Sequence, residues 1–544
     1  MNLIYFLLRS SGRLMAIAIL AGFFSGAGSA GLIAVISWSM AGNPFKAGQT
    51  IAIGFLSLVG IVLLTDMTAR MSLIRLSQEA VFQLQLRLSQ QILASELSHL
   101  EQLGASRLLA TLTEDVLAIS NAVFILPFLL INLAIVAGCF TYITWLSWKV
   151  LLIILGLFAL AMGSCQVFLR RGRRLLALAR EERDRLFQHF QTITDGIKEL
   201  KLHYWRRQEF LRHDLQATAD QFRRYNTSGL SLYAVNESVG KFLFFFAIGL
   251  VLFFIPHIIA IDSRTLAGYV LTFTYLIGPM DNIVSKLPIL SKADIALQKI
   301  ESLGLLLNDR SEVATVPAAI DPSWQSLELN GVTHTYISGQ DETYFTLGPI
   351  NLTLQPGELI FIVGGNGSGK STLAKLITGL YVPEAGAVYL NQKLITPENR
   401  EWYRQHFSVV FADFHLFEQL LGFDHSNIDQ QAQTYLRLLQ LDRKVTVHAG
   451  KLSSTALSQG QRKRLALLTS YLEDRPIYLF DEWAADQDPV FKQLFYTQLL
   501  PQLRDRGKTV LVITHDDHYF HLADRMIKLD YGQIEFDHVQ AKHS

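Results

Sequence analysis

Long apolar runs alternate with long polar stretches up to residue 286, and short apolar runs alternate with polar turns after residue 326. The two patterns predict two kinds of structure. A bilayer core takes about 20 apolar residues of helix. Six segments reach that length, roughly 14–40, 50–69, 122–146, 148–168, 240–260 and 265–286. The run from Leu14 to Met40 follows Arg9 and Arg13 but is too long for the apolar part of a signal peptide, so it reads as a span. The third and fourth segments meet at a short turn around Ser147, which predicts a membrane hairpin. About 50 largely polar residues separate the second and third segments, and about 70 separate the fourth and fifth. Val81, Leu84 and Leu88 in one insert, and Leu186, Phe187 and Phe190 in the other, recur at helical spacing. Phe82, Leu84, Leu86 and Leu88 also alternate like a strand, but the length of the insert and its lack of turn residues favour helix. The inserts are therefore expected as helices continuing out of the membrane in pairs, with tips near His99–Asp115 and Asp195–His203.

Composition fits this division. Half the residues are hydrophobic and 17% are charged, too apolar for a wholly soluble chain and too polar for a wholly embedded one. A net charge of +1 leaves no basic excess for a nucleic-acid partner. Cys139 and Cys165 stand in apolar segments without a CxxC, so neither a disulfide framework nor a zinc site is indicated. Arg70, Arg75 and Arg87 lie in one insert and Arg170 to Arg207 in the other, whereas Gly42–Gln49 and His257–Arg264 carry few basic residues. The positive-inside bias puts both inserts and both termini in the cytoplasm. Asp66, Asn132, Asp281 and Asn282 are candidates to line a cavity, with Asp66 and Asp281 alternatively solvated near a span's cytoplasmic end. Gly278-Pro279 marks an expected kink, and Asn308–Gln325 reads as a linker.

The second half alternates strands and helices, which predicts an α/β domain. Its strongest feature is Gly364-Gly365-Asn366-Gly367-Ser368-Gly369-Lys370-Ser371-Thr372, between an apolar strand Leu359–Val363 and a helix expected over Ala374–Leu380. Strand, glycine loop and helix form the context of a phosphate-binding loop. Its backbone N–H groups and the helix N-terminus face an anion, Lys370 reaches the outer phosphates, and the Ser371 hydroxyl suits Mg²⁺. Leu327–Thr335 and Ile350–Leu354 are further strands, and Tyr336 stands where a ring stacks on a purine. The run Pro476–Glu482 brings Asp481 and Glu482 to the end of a buried strand, one carboxylate for the metal shell and one to polarise a water. Thr509–Ile513 leads to Thr514 and His515, positioned to sense the γ-phosphate. Leu457–Arg464 opens a helix whose Ser458, Gly460 and Gln461 are either an ordinary cap or a second anion site. Two such sites in one domain suggest two copies facing head to tail, each completing the other.

This ordered set resembles ATP-binding cassette exporters, and the resemblance covers essentially the whole chain. Gly364–Thr372 resembles the Walker A loop, Leu457–Gln461 the L-S-x-G-Q signature, and Phe480-Asp481-Glu482 the Walker B strand with its catalytic glutamate. Ala485-Asp486-Gln487-Asp488 falls at the D-loop, His515 at the switch histidine and Tyr336 at the adenine-stacking aromatic. Val409–Phe417, Phe480–Pro489 and Thr194–Lys201 resemble the bacterial cyclic-peptide and siderophore exporters more narrowly. Two departures stand out. Ala412 replaces the usual Q-loop glutamine, with Asp413 beside it, and Trp483-Ala484 replaces Pro-Thr. The resemblance implies a membrane all-α six-helix domain (1–307), a linker (308–325) and an α/β cassette (326–544). It further implies a homodimer in the bacterial inner membrane that binds ATP and Mg²⁺, the latter at Ser371 and Asp481. The residues it implies for ATP are Tyr336, Gly364, Asn366, Gly367, Ser368, Gly369, Lys370, Ser371 and Thr372, the signature residues Ser458, Gly460 and Gln461 of the second copy, and Asp488, with Glu482 and His515 implied in hydrolysis. The expected activity is ATP-driven export of a peptide product. The alternatives are a lipid flippase or multidrug exporter and, in another class, an ATP-gated channel or regulatory receptor.

Overall fold

The computed structural model describes residues 20–29, 31–36, 39, 49–254, 257, 263–302, 320, 323–338, 343–423 and 427–540. The linker expected at 308–325 falls largely outside them. The chain divides into two compact units, Met1–Arg87 with Ala110–Ser302, and Leu88–Leu109 with Leu303–Ser544.

The helices of the first part, in chain order, are α1 (Leu20–Ile36), α2 (Gln49–Ala94), α3 (Leu97–Leu103), α4 (Ala105–Ala110), α5 (Val116–Leu146), α6 (Trp148–Asp195), α7 (Ile197–Leu202), α8 (Tyr204–Glu209), α9 (Gln216–Phe253) and α10 (Ser263–Ser302). Among the described residues, three stretches, Ala52–Ala94, Arg107–Leu146 and Tyr204–Phe253, are long and apolar enough to cross a membrane. The hairpin turn is a single extended residue, Ser147, between α5 and α6. α6 packs along α9 and α5 along α10. A Cβ on Gly229 would lie 2.8 Å from the Leu176 side chain, so α6 and α9 approach closely where the side chain is absent. Cys139, Ile143, Val251, Tyr269 and Phe273 form a shared core. α10 continues as helix through Gly278-Pro279.

Both inserts are helical, as their spacing predicts. The second tip is bounded by Gly196 and His203, as expected. The first lies earlier than expected: α3 is bounded by Glu96 and Gly104, and Thr111–Asp115 is a π-helical turn that leads into α5. The polar composition of 111–115 resembles a tip, but Gly104, with φ of 79°, is the breaker. In the other insert Leu186 is buried, but Phe187 and Phe190 are exposed within the single chain, so the three do not form one packed face. Arg70 pairs with Asp66 at 2.7 Å and lies over the Phe128 ring. Asn132 and Asn282 line a cavity of ≈ 370 Å³ together with Arg70, Phe124, Phe128 and Lys286.

The cassette carries strands β1 (Leu327–Ser338), β2 (Thr343–Leu354), β3 (Leu359–Gly364), β4 (Ala385–Leu390), β5 (Lys393–Leu394), β6 (Phe407–Val410), β7 (Val447–His448), β8 (Lys451–Leu452), β9 (Ile477–Asp481), β10 (Thr509–Ile513), β11 (Arg525–Asp530) and β12 (Gln533–Val539). An antiparallel sheet is ordered β2-β1-β4-β5, and a mostly parallel one β12-β11-β3-β10-β9-β6. Its helices are α11 (Lys370–Ile377), α12 (Arg400–Arg404), α13 (Ile428–Leu438), α14 (Gln459–Glu473), α15 (Pro489–Leu494) and α16 (Leu500–Asp505). β3, β9 and β10 are buried on both faces, which is why they read as unbroken apolar runs. Phe361 and Phe480 enter one core, and Ile360, Ile362 and Leu479 the other. The helix expected over Ala374–Leu380 instead starts at Lys370 and ends at Ile377. Its first turn is polar, so apolar spacing alone misses it. Tip helix α3 belongs to this same unit. Leu97 packs on the second core, and Glu101 pairs with Lys375 at 2.7 Å and accepts a bond from the Tyr381 hydroxyl.

Candidate nucleotide site

β3 and β10 run parallel, as do β10 and β9, so their C-terminal ends lie side by side. That edge collects the loop 364–369, Asp481 with Glu482, and Thr514 with His515. Ligands in open α/β sheets bind at this end of the strands. Gly364 has φ of 151°, and a Cβ there would meet the Leu529 carbonyl at 2.3 Å. Gly369, with φ of 101°, caps α11. Lys370 is buried and folds back over the loop, donating to the Gly364 and Gly365 carbonyls at 3.1 and 2.9 Å. Burial holds its ammonium below the ordinary lysine pKa, and the nearby carboxylates of Glu482 and Asp481 oppose that shift.

Asp481 is buried, and burial raises its carboxyl above the usual range. The Ser371 hydroxyl beside it opposes that rise, while the charges of Glu482 and Asp413 push it further up. Its Oδ1 and the Ser368 hydroxyl are buried without a hydrogen-bond partner. Orphaned buried acceptors next to a phosphate loop mark places where a ligand supplies the missing partner. Glu482 has φ of 48°, uncommon for a non-glycine residue, and its Oε1 lies 3.3 Å from His515 Nε2. Ala412 stands in an exposed turn after β6 and offers no polar side-chain atom. Asp413 follows it, near enough for its charge to act on Asp481.

A second cluster forms at the start of α14. Ser458 caps it in a capping box with Gln461, so these two side chains serve the helix itself in the single chain. Gly460 presses on the backbone at Asp486, where a Cβ would lie 2.6 Å from the carbonyl. Gln487 donates to the Gly460 carbonyl at 3.0 Å. Asp488 caps α15 through the Phe491 N–H and pairs with Arg464. Those two contacts, in that order, hold its carboxyl below the ordinary range. Among the described residues no hydrogen bond joins Ser458, Gly460 or Gln461 to the loop 364–372. The structure thus brings Gly364–Thr372, Asp481, Glu482 and His515 to one sheet edge, and Ser458, Gly460, Gln461 and Asp488 to another place. Tyr336 falls on β1 opposite Phe345, and its side chain lies outside what is described. Lys463, not singled out in the sequence, and Trp483, noted there only as a departure from Pro-Thr, join the two clusters. A lysine inside the apolar face of a helix, and a tryptophan directly after the carboxylate pair, were the signals available.

A phosphate loop at a parallel sheet edge, with a carboxylate pair beside it and a long-helix membrane unit in the same chain, defines an ATP-driven membrane transporter. The chain belongs to the ABC transporter family, in its exporter form. Residues 347–485 match the family profile described as ABC transporter, and residues 13–280 that described as ABC transporter transmembrane region. The chain is 39% identical to the ATP-binding protein SyrD of Pseudomonas syringae pv. syringae, over 95% of this chain and 93% of that one. It is 25% identical to an ATP-dependent lipid A-core flippase of Thiobacillus denitrificans, over 84% of this chain and 79% of that one. It is 31% identical to the probable syringafactin export ATP-binding/permease protein SyfD of P. syringae pv. syringae, over 39% of this chain and 34% of that one. A bacterial Atm1-family ABC exporter solved with ATP bound shares the fold, with a TM-score of 0.74 at 17% identity over 98% of this chain and 95% of that one. The chain is therefore a membrane protein whose cassette binds and hydrolyses ATP to drive transport.

Proposed function

We propose that two copies of this chain form an exporter in the bacterial inner membrane, with cassettes and termini in the cytoplasm, that moves a cyclic peptide, siderophore or related peptide product outward. Each copy comprises a membrane domain (1–307), a linker (308–325) and a cassette (326–544). The observation that carries the reading is the division of the nucleotide machinery within one chain. The phosphate loop and carboxylates share one edge, while Ser458 and Gln461 at the signature start cap their own helix and, among the described residues, no hydrogen bond joins that start to the phosphate loop. ATP then lies between Gly364–Thr372 of one copy and Ser458, Gly460 and Gln461 of the other, with Asp488 at the same junction and Tyr336 against the base. In the single chain Leu202, Tyr204 and Trp205 at the second tip are exposed apolar surface, which suits docking on another copy.

Lys370 leaves its two loop carbonyls for the outer phosphates, exchanging neutral acceptors for charged ones. Mg²⁺ fits the Ser371 hydroxyl and the Asp481 carboxylate, a hard oxygen set with one orphaned acceptor, and when bound it neutralises charge on the phosphates. Glu482 accepts the proton of the attacking water, and His515 orients that carboxylate. ATP binding favours the closed pair of cassettes and hydrolysis releases it, which biases the membrane domain between inward and outward states.

The cargo reading rests on the subfamily resemblance and the SyfD likeness. A membrane-domain cavity lined by Arg70, Lys286, two asparagines and two phenylalanines suits an amphipathic peptide with polar and apolar faces. A second reading, a lipid flippase, is favoured by the flippase relatives that match most of the chain. ATP-dependent uptake into inside-out vesicles separates the two, with a panel of cyclic lipopeptides, siderophores, lipids and common drugs. Uptake of one peptide class is the expected result. Movement of lipids or unrelated drugs with no peptide uptake overturns the cargo assignment.

A further inference from the structure

The geometry points to Lys463 as a positioning residue for Glu482, tying the catalytic glutamate to the signature helix of its own chain. The inference rests on Glu482 being the base. Lys463 lies on α14, five residues after the signature serine, with its side chain only 5% exposed. A buried ammonium is costly unless every proton finds a partner. Here it donates to the Glu482 main-chain carbonyl at 2.9 Å and pairs with Asp486 at 2.7 Å. In return the Trp483 indole N–H donates to the Lys463 carbonyl at 2.8 Å. Trp483 is itself buried and stacks on Phe495 with centroids 4.3 Å apart, so the indole is a fixed post and not a loose ring.

The two reciprocal bonds bracket one peptide unit. Glu482 sits in the left-handed region, where a residue with a Cβ persists only if its surroundings hold it. Its N–H donates to the Ile513 carbonyl at 3.0 Å, which anchors one side, and Lys463 grips the carbonyl on the other. The direction of the carboxylate follows from that backbone. The lysine belongs to the helix whose start is to meet the partner copy's nucleotide. A shift of that helix is therefore passed to the glutamate that serves the chain's own ATP.

The test uses the full-length protein in lipid nanodiscs, with steady-state ATPase kinetics, ATP-analogue binding and thermal melting measured together. Lys463→Met keeps the stem and removes the ammonium. It is expected to lower kcat on the order of tenfold or more, while KM, analogue affinity and Tm stay near wild type. Trp483→Phe keeps an aromatic ring beside Phe495 and removes the N–H together with part of the indole's volume, and is expected to lower kcat by a few-fold. It supplies the test should Lys463→Met fail to fold. Glu482→Gln is run beside them. A silent Glu482→Gln with wild-type kcat in Lys463→Met or Trp483→Phe overturns the positioning role alone. An active Glu482→Gln overturns the base assignment and this inference with it. A joint fall of kcat, affinity and Tm marks Lys463 as merely structural and also overturns the inference.

Discussion

Glu482→Gln lowers ATP turnover by about 10²–10⁴-fold and leaves ATP bound and the cassettes closed. The size follows from the loss of a general base with everything else intact. The amide is isosteric, and the φ of 48° at residue 482 and the anchor of its N–H on Ile513 do not depend on the carboxylate. His515 loses its acidic partner at 3.3 Å, but both groups are more than a third exposed, so stability changes little. Single-turnover hydrolysis with labelled ATP, alongside analogue binding, checks the prediction. Wild-type turnover in this variant contradicts the assignment.

Lys370→Met weakens ATP binding by about 10²-fold or more, because the charge-assisted bonds from the ammonium to phosphate are lost. The same change leaves the nucleotide-free cassette as stable as wild type or more so. The sign comes from burial. The Lys370 ammonium is held below its ordinary pKa, so the charged form is disfavoured in the folded chain, and a methionine removes that cost. Its present partners are the carbonyls of half-buried Gly364 and exposed Gly365. Calorimetric ATP titration and thermal melting of the same sample check both halves. Lost binding accompanied by a lower Tm contradicts the account.

Much of the fold was legible because burial on two faces leaves an unmistakable trace. β3, β9 and β10 are unbroken apolar runs, and each delivers its polar residues at the same end. The loop 364–372 was legible for a different reason: glycine at positive φ and a lysine at a helix start are dictated by chemistry, not by context. The early part of β2 was not legible. The strand was expected only from Ile350, yet it runs from Thr343, through a proline, past a register shift in β1. Gly348 takes φ of 105° there, where a Cβ would meet the Val332 carbonyl at 2.2 Å. Lys463 and Trp483 left only indirect signals, because their bonds run to main-chain atoms about 20 residues away in sequence and no spacing rule encodes such contacts. Ser458 kept both of its readings. It caps α14 in the single chain, and the phosphate contact belongs to the proposed second copy.

In the proposed mechanism everything from ATP to transport depends on nucleotide being held between two copies, the phosphate loop of one against the signature start of the other. The direct measurement is disulfide cross-linking of a full-length variant in which Cys139 and Cys165 are replaced and Asn366→Cys and Gln459→Cys are introduced. Both new positions are exposed in the single chain, and neither removes the Ser458 cap. With Glu482→Gln to hold the closed state, ATP and Mg²⁺ are predicted to give an intermolecular cross-link that is absent without nucleotide. A cross-link within one chain, or none between chains at saturating ATP, would contradict the two-copy site.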